Sequence, residues 1–170
     1  MRRLIQRLAI GAVIVTGVPA AARAQAAPRP ALVEGGAGFA QFVDDSPVNH
    51  SVFDGGGRIY VSRRVAIGPE VTVMFGPGID RDFFLTGNAT IDLVDPSGPH
   101  AKAVPYVVGG AGFIRTTLPT GAGSFTSSEG AFTVGAGVRI APANAWYVAP
   151  EFRFGWELHW RLGVQIGKRF

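Results

Sequence analysis

Residues 146–170 read WYVAPEFRFGWELHWRLGVQIGKRF. Trp146, Val148, Pro150, Phe152, Phe154 and Trp156 share one parity, and Tyr147, Ala149, Glu151, Arg153 and Gly155 share the other. Past Glu157 the alternation resumes, with Leu158, Trp160, Leu162, Val164 and Ile166 set against His159, Arg161, Gly163, Gln165 and Gly167. A period of two marks strands with two unlike faces. Here one face is aliphatic and aromatic, while the other carries charges in mid-strand.

Upstream the pattern recurs. Phe132, Val134, Ala136, Val138 and Ile140 oppose Thr133, Gly135, Gly137 and Arg139. Ile67, Pro69, Val71, Val73 and Phe75 oppose Gly68, Glu70, Thr72 and Met74, and the odd positions of 83–93 oppose Thr86, Asn88, Thr90 and Asp92. Eight segments result: 32–42, 53–62, 67–76, 83–93, 104–114, 130–140, 146–155 and 158–170. In the Gly-rich segments 32–42 and 104–114 the phase stays open, since Glu34 and Gln41 fall on opposite faces. Turn chemistry separates the segments at Asp44-Asp45-Ser46-Pro47, Gly76-Pro77-Gly78, Asp95-Pro96-Ser97-Gly98-Pro99, the Gly/Ser/Thr stretch 115–129 and Ala141-Pro142-Ala143-Asn144.

Segment length then selects the environment. A tilted membrane-spanning strand needs about 9–11 residues, whereas a globular strand has about 5–6. Eight spans of about 11 residues use about 88 of the roughly 144 residues that follow position 26, enough for an eight-stranded closed barrel. A soluble barrel hides its apolar face and shows its charges; a membrane barrel does the reverse. Beyond position 26 the chain has only Lys102 and Lys168 as lysines, too few to coat a water-facing wall. Phe83, Phe84, Trp146, Tyr147, Trp156, Trp160 and Phe170 lie near segment ends, where membrane barrels carry aromatic girdles. The fold class is therefore all-β, an eight-stranded antiparallel transmembrane β-barrel; a soluble sandwich or lipocalin-like barrel is the competing reading.

The net charge of +4 suggests an acidic partner until its charges are placed. Arg2, Arg3, Arg7 and Arg23 precede residue 25, so the rest of the chain balances 16 − 4 = 12 basic against 12 acidic residues. With no basic stripe, nucleic acid is excluded as a partner. Zero Cys excludes a disulfide framework, a thiolate metal site and a lipid-anchored N-terminal Cys. Residues 1–26 have the form of a cleaved signal peptide: a basic start, an uncharged stretch from Leu8 to Ala22, and small residues at Ala22-Arg23-Ala24 or Ala24-Gln25-Ala26 for cleavage. Residues 27–170 form the barrel domain.

Several stretches resemble the small outer-membrane β-barrel proteins, the group that includes the OmpA-like transmembrane domain. They are Gly55-Gly56-Gly57-Arg58-Ile59-Tyr60-Val61 running into Arg64–Glu70, Pro105-Tyr106-Val107-Val108-Gly109-Gly110-Ala111-Gly112, and Ala131–Ile140 followed by Tyr147-Val148-Ala149-Pro150-Glu151. The chain also ends on Phe170 after alternating apolar residues, similar to the terminal insertion signal of that group. It departs from the group at Lys168, where an aromatic is common. The resemblance implies localisation in the outer membrane, both termini toward the periplasm, contact with outer-membrane lipid and lipopolysaccharide, and handling by the outer-membrane insertion machinery during biogenesis. A monomer is expected.

With the apolar face outward, Arg58, Glu70, Asp92, Arg139, Glu151, Arg153 and Arg161 point inward. Isolated charges in a narrow lumen are costly, so they should pair. A turn at Arg63-Arg64-Val65 would set Arg58 opposite Glu70, and a turn at Gly155-Trp156-Glu157 would set Glu151 opposite Arg161. Such a network fills the lumen of an eight-stranded barrel and gives a structural, scaffold or interaction protein. The alternatives are a narrow porin-like channel and a lipid A-modifying enzyme. Catalysis has little support: His50, Ser51, Asp44 and Asp45 are adjacent in a predicted loop, and a triad is a spatial arrangement. His100 lies in a Pro/Gly turn and His159 near a strand end. No residues have metal-ligand spacing along the chain. Gly109-Gly110-Ala111-Gly112 precedes no helix and is no phosphate cradle. No catalytic residue, metal or cofactor is expected. Loops at 43–52, 77–82, 115–129 and 156–157 should face outward from the cell, and turns at 63–66, 94–103 and 141–145 inward.

Overall fold

The computed structural model describes residues 30–43, 47–96, 102–121, 123–143 and 145–170. The predicted signal peptide, Asp44, Asp45 and His100 lie outside the described residues. Eight strands follow in order: β1 (Ala31–Phe42), β2 (Val48–Tyr60), β3 (Val65–Phe75), β4 (Arg81–Asp92), β5 (Ala103–Thr120), β6 (Gly123–Ala143), β7 (Trp146–Gly155) and β8 (His159–Arg169). Each pairs antiparallel with the next, and β1 pairs with β8, so the sheet closes on itself and leaves no edge through its wall. Closure is what a bilayer demands, because hydrocarbon offers no partner to a free N–H or C=O.

The burial pattern is the inverse of a soluble protein's. Arg153 is 1% exposed, whereas Val134 is 56% and Ile166 57% exposed. Along β4 the inward positions are Asp82, Phe84, Thr86, Asn88, Thr90 and Asp92, all buried, against outward Phe83, Leu85 and Ile91. Eleven residues rising about 3.4 Å each and tilted about 40° cover about 28 Å, the height of a barrel's apolar band. Rings decorate the outside near both rims: Phe39 packs on Trp160, Phe132 on Trp156 and Phe53 on Phe75 toward one end, and Trp146 and Phe170 are exposed at the other. Phe84 and Tyr147, expected in the girdles, turn into the lumen instead. Both fall on the inward parity of their strands, and parity overrides nearness to a strand end.

The open phase of β1 resolves with Glu34 buried inside and Gln41 outside, donating to Asn49 at 2.9 Å. The interior accepts these walls because it is lined with glycine where space is shortest. At Gly68 an added Cβ would strike the carbonyl oxygen of Gly57 and the Cα of Arg58, and at Gly112 the carbonyl of Leu85.

Two expected connections change. The stretch 115–129 is not a loop: the β5–β6 ladder runs through Arg115↔Ser128 and Thr117↔Thr126 to Thr120↔Gly123. Its Thr residues and Phe125 favour extended backbone, and Gly123, at φ 144°, serves the tight reversal. The hairpin therefore projects beyond β4, whose pairing with β5 stops at Arg81↔Thr117. Likewise β2 begins at Val48, so His50 and Ser51 are strand residues facing opposite sides.

Both described ends of the chain, the start of β1 and the end of β8, lie at one rim, here the terminal rim. The β5–β6 hairpin rises from the other, the hairpin rim.

Candidate functional site

The chemistry of this chain is concentrated inside the barrel, in layers. Nearest the terminal rim Asp92 is ion-paired with Arg139 and accepts the Tyr60 hydroxyl at 2.6 Å. The Arg139 guanidinium lies 4.2 Å over the Tyr106 ring and 5.8 Å from that of Tyr147, so its faces meet π-electrons in place of water. Tyr147 donates to Glu34 at 2.6 Å and Tyr106 to Glu151 at 2.7 Å.

Glu70 occupies the middle. Its carboxylate accepts from Arg58 Nη2 at 3.0 Å, Arg153 Nη1 and Nη2 at 2.9 and 2.8 Å, and Arg161 Nη2 at 2.8 Å. Those arginines come from β2, β7 and β8, and Glu70 from β3, so one carboxylate ties four strands across the lumen. Arg58 also pairs with Glu34. Arg153 Nε donates to Glu151 at 2.6 Å, and Arg161 Nη1 to Thr72 at 2.9 Å. Four inward arginines (58, 139, 153, 161) thus ion-pair with four inward carboxylates (34, 70, 92, 151), while a fifth, Asp54, accepts from Gln165 Nε2 at 3.0 Å.

Above this layer, toward the hairpin rim, Ala40, Val52, Met74, Phe84, Ile114 and Ala131 form an apolar cluster with Phe42 against it. The void beside Asp54, Glu151, Arg161 and Gln165 has a volume of about 10 Å³, room for one water at most. A cleft of about 200 Å³ opens beside Arg139 and Arg169 at the terminal rim.

All seven charges read from the sequence as inward are buried inside the barrel. Their expected alignments need correction. Gly56, not Arg58, stands opposite Glu70, and Arg58 reaches it along a diagonal. The turn is centred on Arg63, where Ser62 Oγ accepts from Val65 N at 3.1 Å. Glu151 stands opposite Gly163, while Arg153 faces Arg161. This turn is centred on Glu157, with φ of 58° there and 30° at Leu158, and the Nδ1–H of His159 donates to Trp156 O at 2.7 Å. In both hairpins a one-residue shift of the turn moves the register by two, which preserves the faces but changes the partners.

Ser51 faces outward and is exposed while His50 is buried, so no triad forms between them. Unlinked by any spacing in the chain, His50, Asp80 and Asp82 converge inside the hairpin rim. Glu34, Tyr60, Tyr106 and Tyr147 also belong to the network without having been singled out. Inward parity was the available signal for Tyr60 and Tyr147, whereas Tyr106, like Glu34, lies in a segment whose phase the sequence leaves open.

A closed antiparallel wall, aliphatic outside and charged inside, defines a transmembrane β-barrel of the small outer-membrane kind. Solved structures agree on the fold. The N-terminal β-barrel domain of Pseudomonas aeruginosa OprF superposes with a TM-score of 0.68 at 13% identity, covering 84% of this chain and 98% of that one. Neisserial surface protein A (NspA) gives 0.70 at 10% identity, covering 83% and 97%. Ail, the attachment invasion locus protein of Yersinia pestis, gives 0.60 at 12% identity, covering 85% and 100%. No family model and no curated protein sequence matches the chain. The chain has the fold of the small outer-membrane β-barrels.

Proposed function

We propose that the chain is a structural and interaction barrel with a closed lumen, rather than a pore or an enzyme. The observation that carries this reading is the Glu70 network with the apolar cluster stacked on it: together they fill the section through which a solute would pass. Burying four arginines is tolerable only because each meets a carboxylate, and that compensation uses the groups a conducting lumen would leave hydrated. The projecting β5–β6 hairpin is the part suited to meet a partner. Its Gly123–Ala131 stretch runs beyond the β7 pairing, which begins at Thr133↔Gly155, so it presents free backbone groups. In this reading the terminal rim faces the periplasm, the hairpin faces outward, the apolar wall contacts outer-membrane lipid and lipopolysaccharide, and Phe170 is read by the insertion machinery.

Single-channel recording in planar bilayers tests the closed lumen. Purified barrel is expected to give no steady conductance step, and a steady large conductance overturns the reading.

A further inference from the structure

Three inward positions on neighbouring elements converge above the apolar cluster. His50 is the third residue of β2, Asp80 ends the turn closed by Gly76 N donating to Asp80 O at 3.0 Å, and Asp82 is the second residue of β4. His50 Nε2 lies 3.1 Å from Asp80 Oδ2 and 3.3 Å from Asp82 Oδ2. The three donor atoms all lie within 4.8 Å of one another. Bonds of about 2.0–2.1 Å to a tetrahedral metal ion put neighbouring ligand atoms roughly 3.3 Å apart, close to the two distances from His50 Nε2.

Charge points the same way. In the Glu70 and Asp92 layers Glu34, Glu70, Asp92 and Glu151 each meet an arginine and Asp54 accepts from Gln165, but among the described residues no arginine or lysine pairs with Asp80 or Asp82. The His50, Asp80 and Asp82 side chains are only 2%, 10% and 3% exposed. Two buried carboxylates and one imidazole, neutral or protonated, leave negative charge uncompensated, whereas a divalent ion on a neutral imidazole cancels it. His50 Nδ1 lies 3.4 Å from Val48 O. With the proton there, Nε2 turns its lone pair toward both carboxylates, the tautomer a metal-bound histidine adopts.

Two independent features fit an ion. Asp80 Oδ1 is buried without a hydrogen-bond partner, and the Thr116 hydroxyl stands opposite Asp82, beside its carboxylate. Gly76 stands under the group, and a Cβ there would fall against Asp80 Oδ2 and His50 Nε2. Phe42 covers the imidazole edge-on at 4.9 Å, keeping bulk water from that side.

We infer that His50, Asp80 and Asp82 bind one first-row divalent cation at the hairpin rim. One imidazole and two carboxylates suit Zn²⁺, with further positions left to water or the Thr116 hydroxyl. The ion would fasten β2 to the β3–β4 turn across Gly76.

The test uses folded barrel purified from membranes without a polyhistidine tag, stripped with chelator and titrated with Zn²⁺ by calorimetry. One ion per chain is expected, with affinity falling at least about tenfold in His50→Gln and in Asp82→Asn. Heat-modifiable migration on gels verifies that each variant is folded. Ring ¹⁵N spectra of His50 in the wild-type barrel give a readout independent of any variant, and Nε2 is expected to shift on Zn²⁺ addition. Absence of saturable binding, binding of equal strength in both folded variants, or His50 signals unchanged by bound Zn²⁺ would each overturn the assignment, leaving a protonated imidazole between two carboxylates.

Discussion

Replacing Glu70 by Gln removes the negative charge on which three guanidinium groups converge, with bonds of 2.8–3.0 Å. The four arginines of the middle layers then have only three of their four ion-paired carboxylates left, and the guanidinium groups that lose this partner are buried: Arg58 is 3% and Arg153 1% exposed. Removing one partner from such a group costs about 3–5 kcal/mol. The Gln carbonyl still accepts one bond, which places the change near about 3 kcal/mol. With a urea slope of about 2 kcal/mol/M, the unfolding midpoint in lipid vesicles falls by about 1.5 M. Tryptophan fluorescence and heat-modifiable gel migration follow the transition together. Glu129→Gln, on the exposed hairpin, is the matched control and should move stability by less than about 0.5 kcal/mol. A Glu70→Gln barrel that unfolds within about 0.5 M of wild type, or no earlier than the Glu129 control, refutes the claim that this carboxylate ties the lumen together.

Three other outcomes follow from the same geometry. Gly68→Ala forces a Cβ into the β2 backbone and should cost about 1–3 kcal/mol in the urea assay, whereas Gly87→Ala, whose new Cβ would come no nearer than 4.0 Å to Ala111 O, should be close to neutral; equal effects would show that the inner wall can yield. Val164→Arg puts a charge on the lipid face of β8 at mid-strand, and should cost about 2–4 kcal/mol in bilayers; retained stability would contradict the outward assignment of that face. Deleting Phe170 should lower the yield of folded barrel in cells while leaving refolding of purified chain into detergent unchanged, and parallel losses in both would assign Phe170 to stability rather than to insertion.

Much of the site was legible residue by residue but not pair by pair. Parity put Arg58, Glu70, Asp92, Arg139, Glu151, Arg153 and Arg161 inside, and they are inside. Their partners depend on turns. A centre at Arg63 rather than Arg64, and at Glu157 rather than Trp156, moved each register by two and replaced the expected Glu151–Arg161 pairing with Arg153 on Glu151 and Arg161 on Glu70. Glu34 lay hidden in a Gly-rich strand whose alternation is too weak to show its phase. The hairpin at 115–129 was masked by composition, since Ser, Thr and Gly read as loop until a paired strand supplies their hydrogen bonds.

Strand length, the two-residue period and the scarcity of lysine are local properties, and they alone determined a membrane barrel: a side chain's face is fixed by its parity, whatever the strand pairs with. Which charges touch is not local. Glu70 and Arg161 are 91 residues apart, and His50 and Asp80 are 30 apart. Only the closure of β1 on β8, the register of each hairpin and the glycines that let side chains lie across the wall bring them together, because contact inside a barrel is set by height and angle around its axis, and neither is written in the order of the residues.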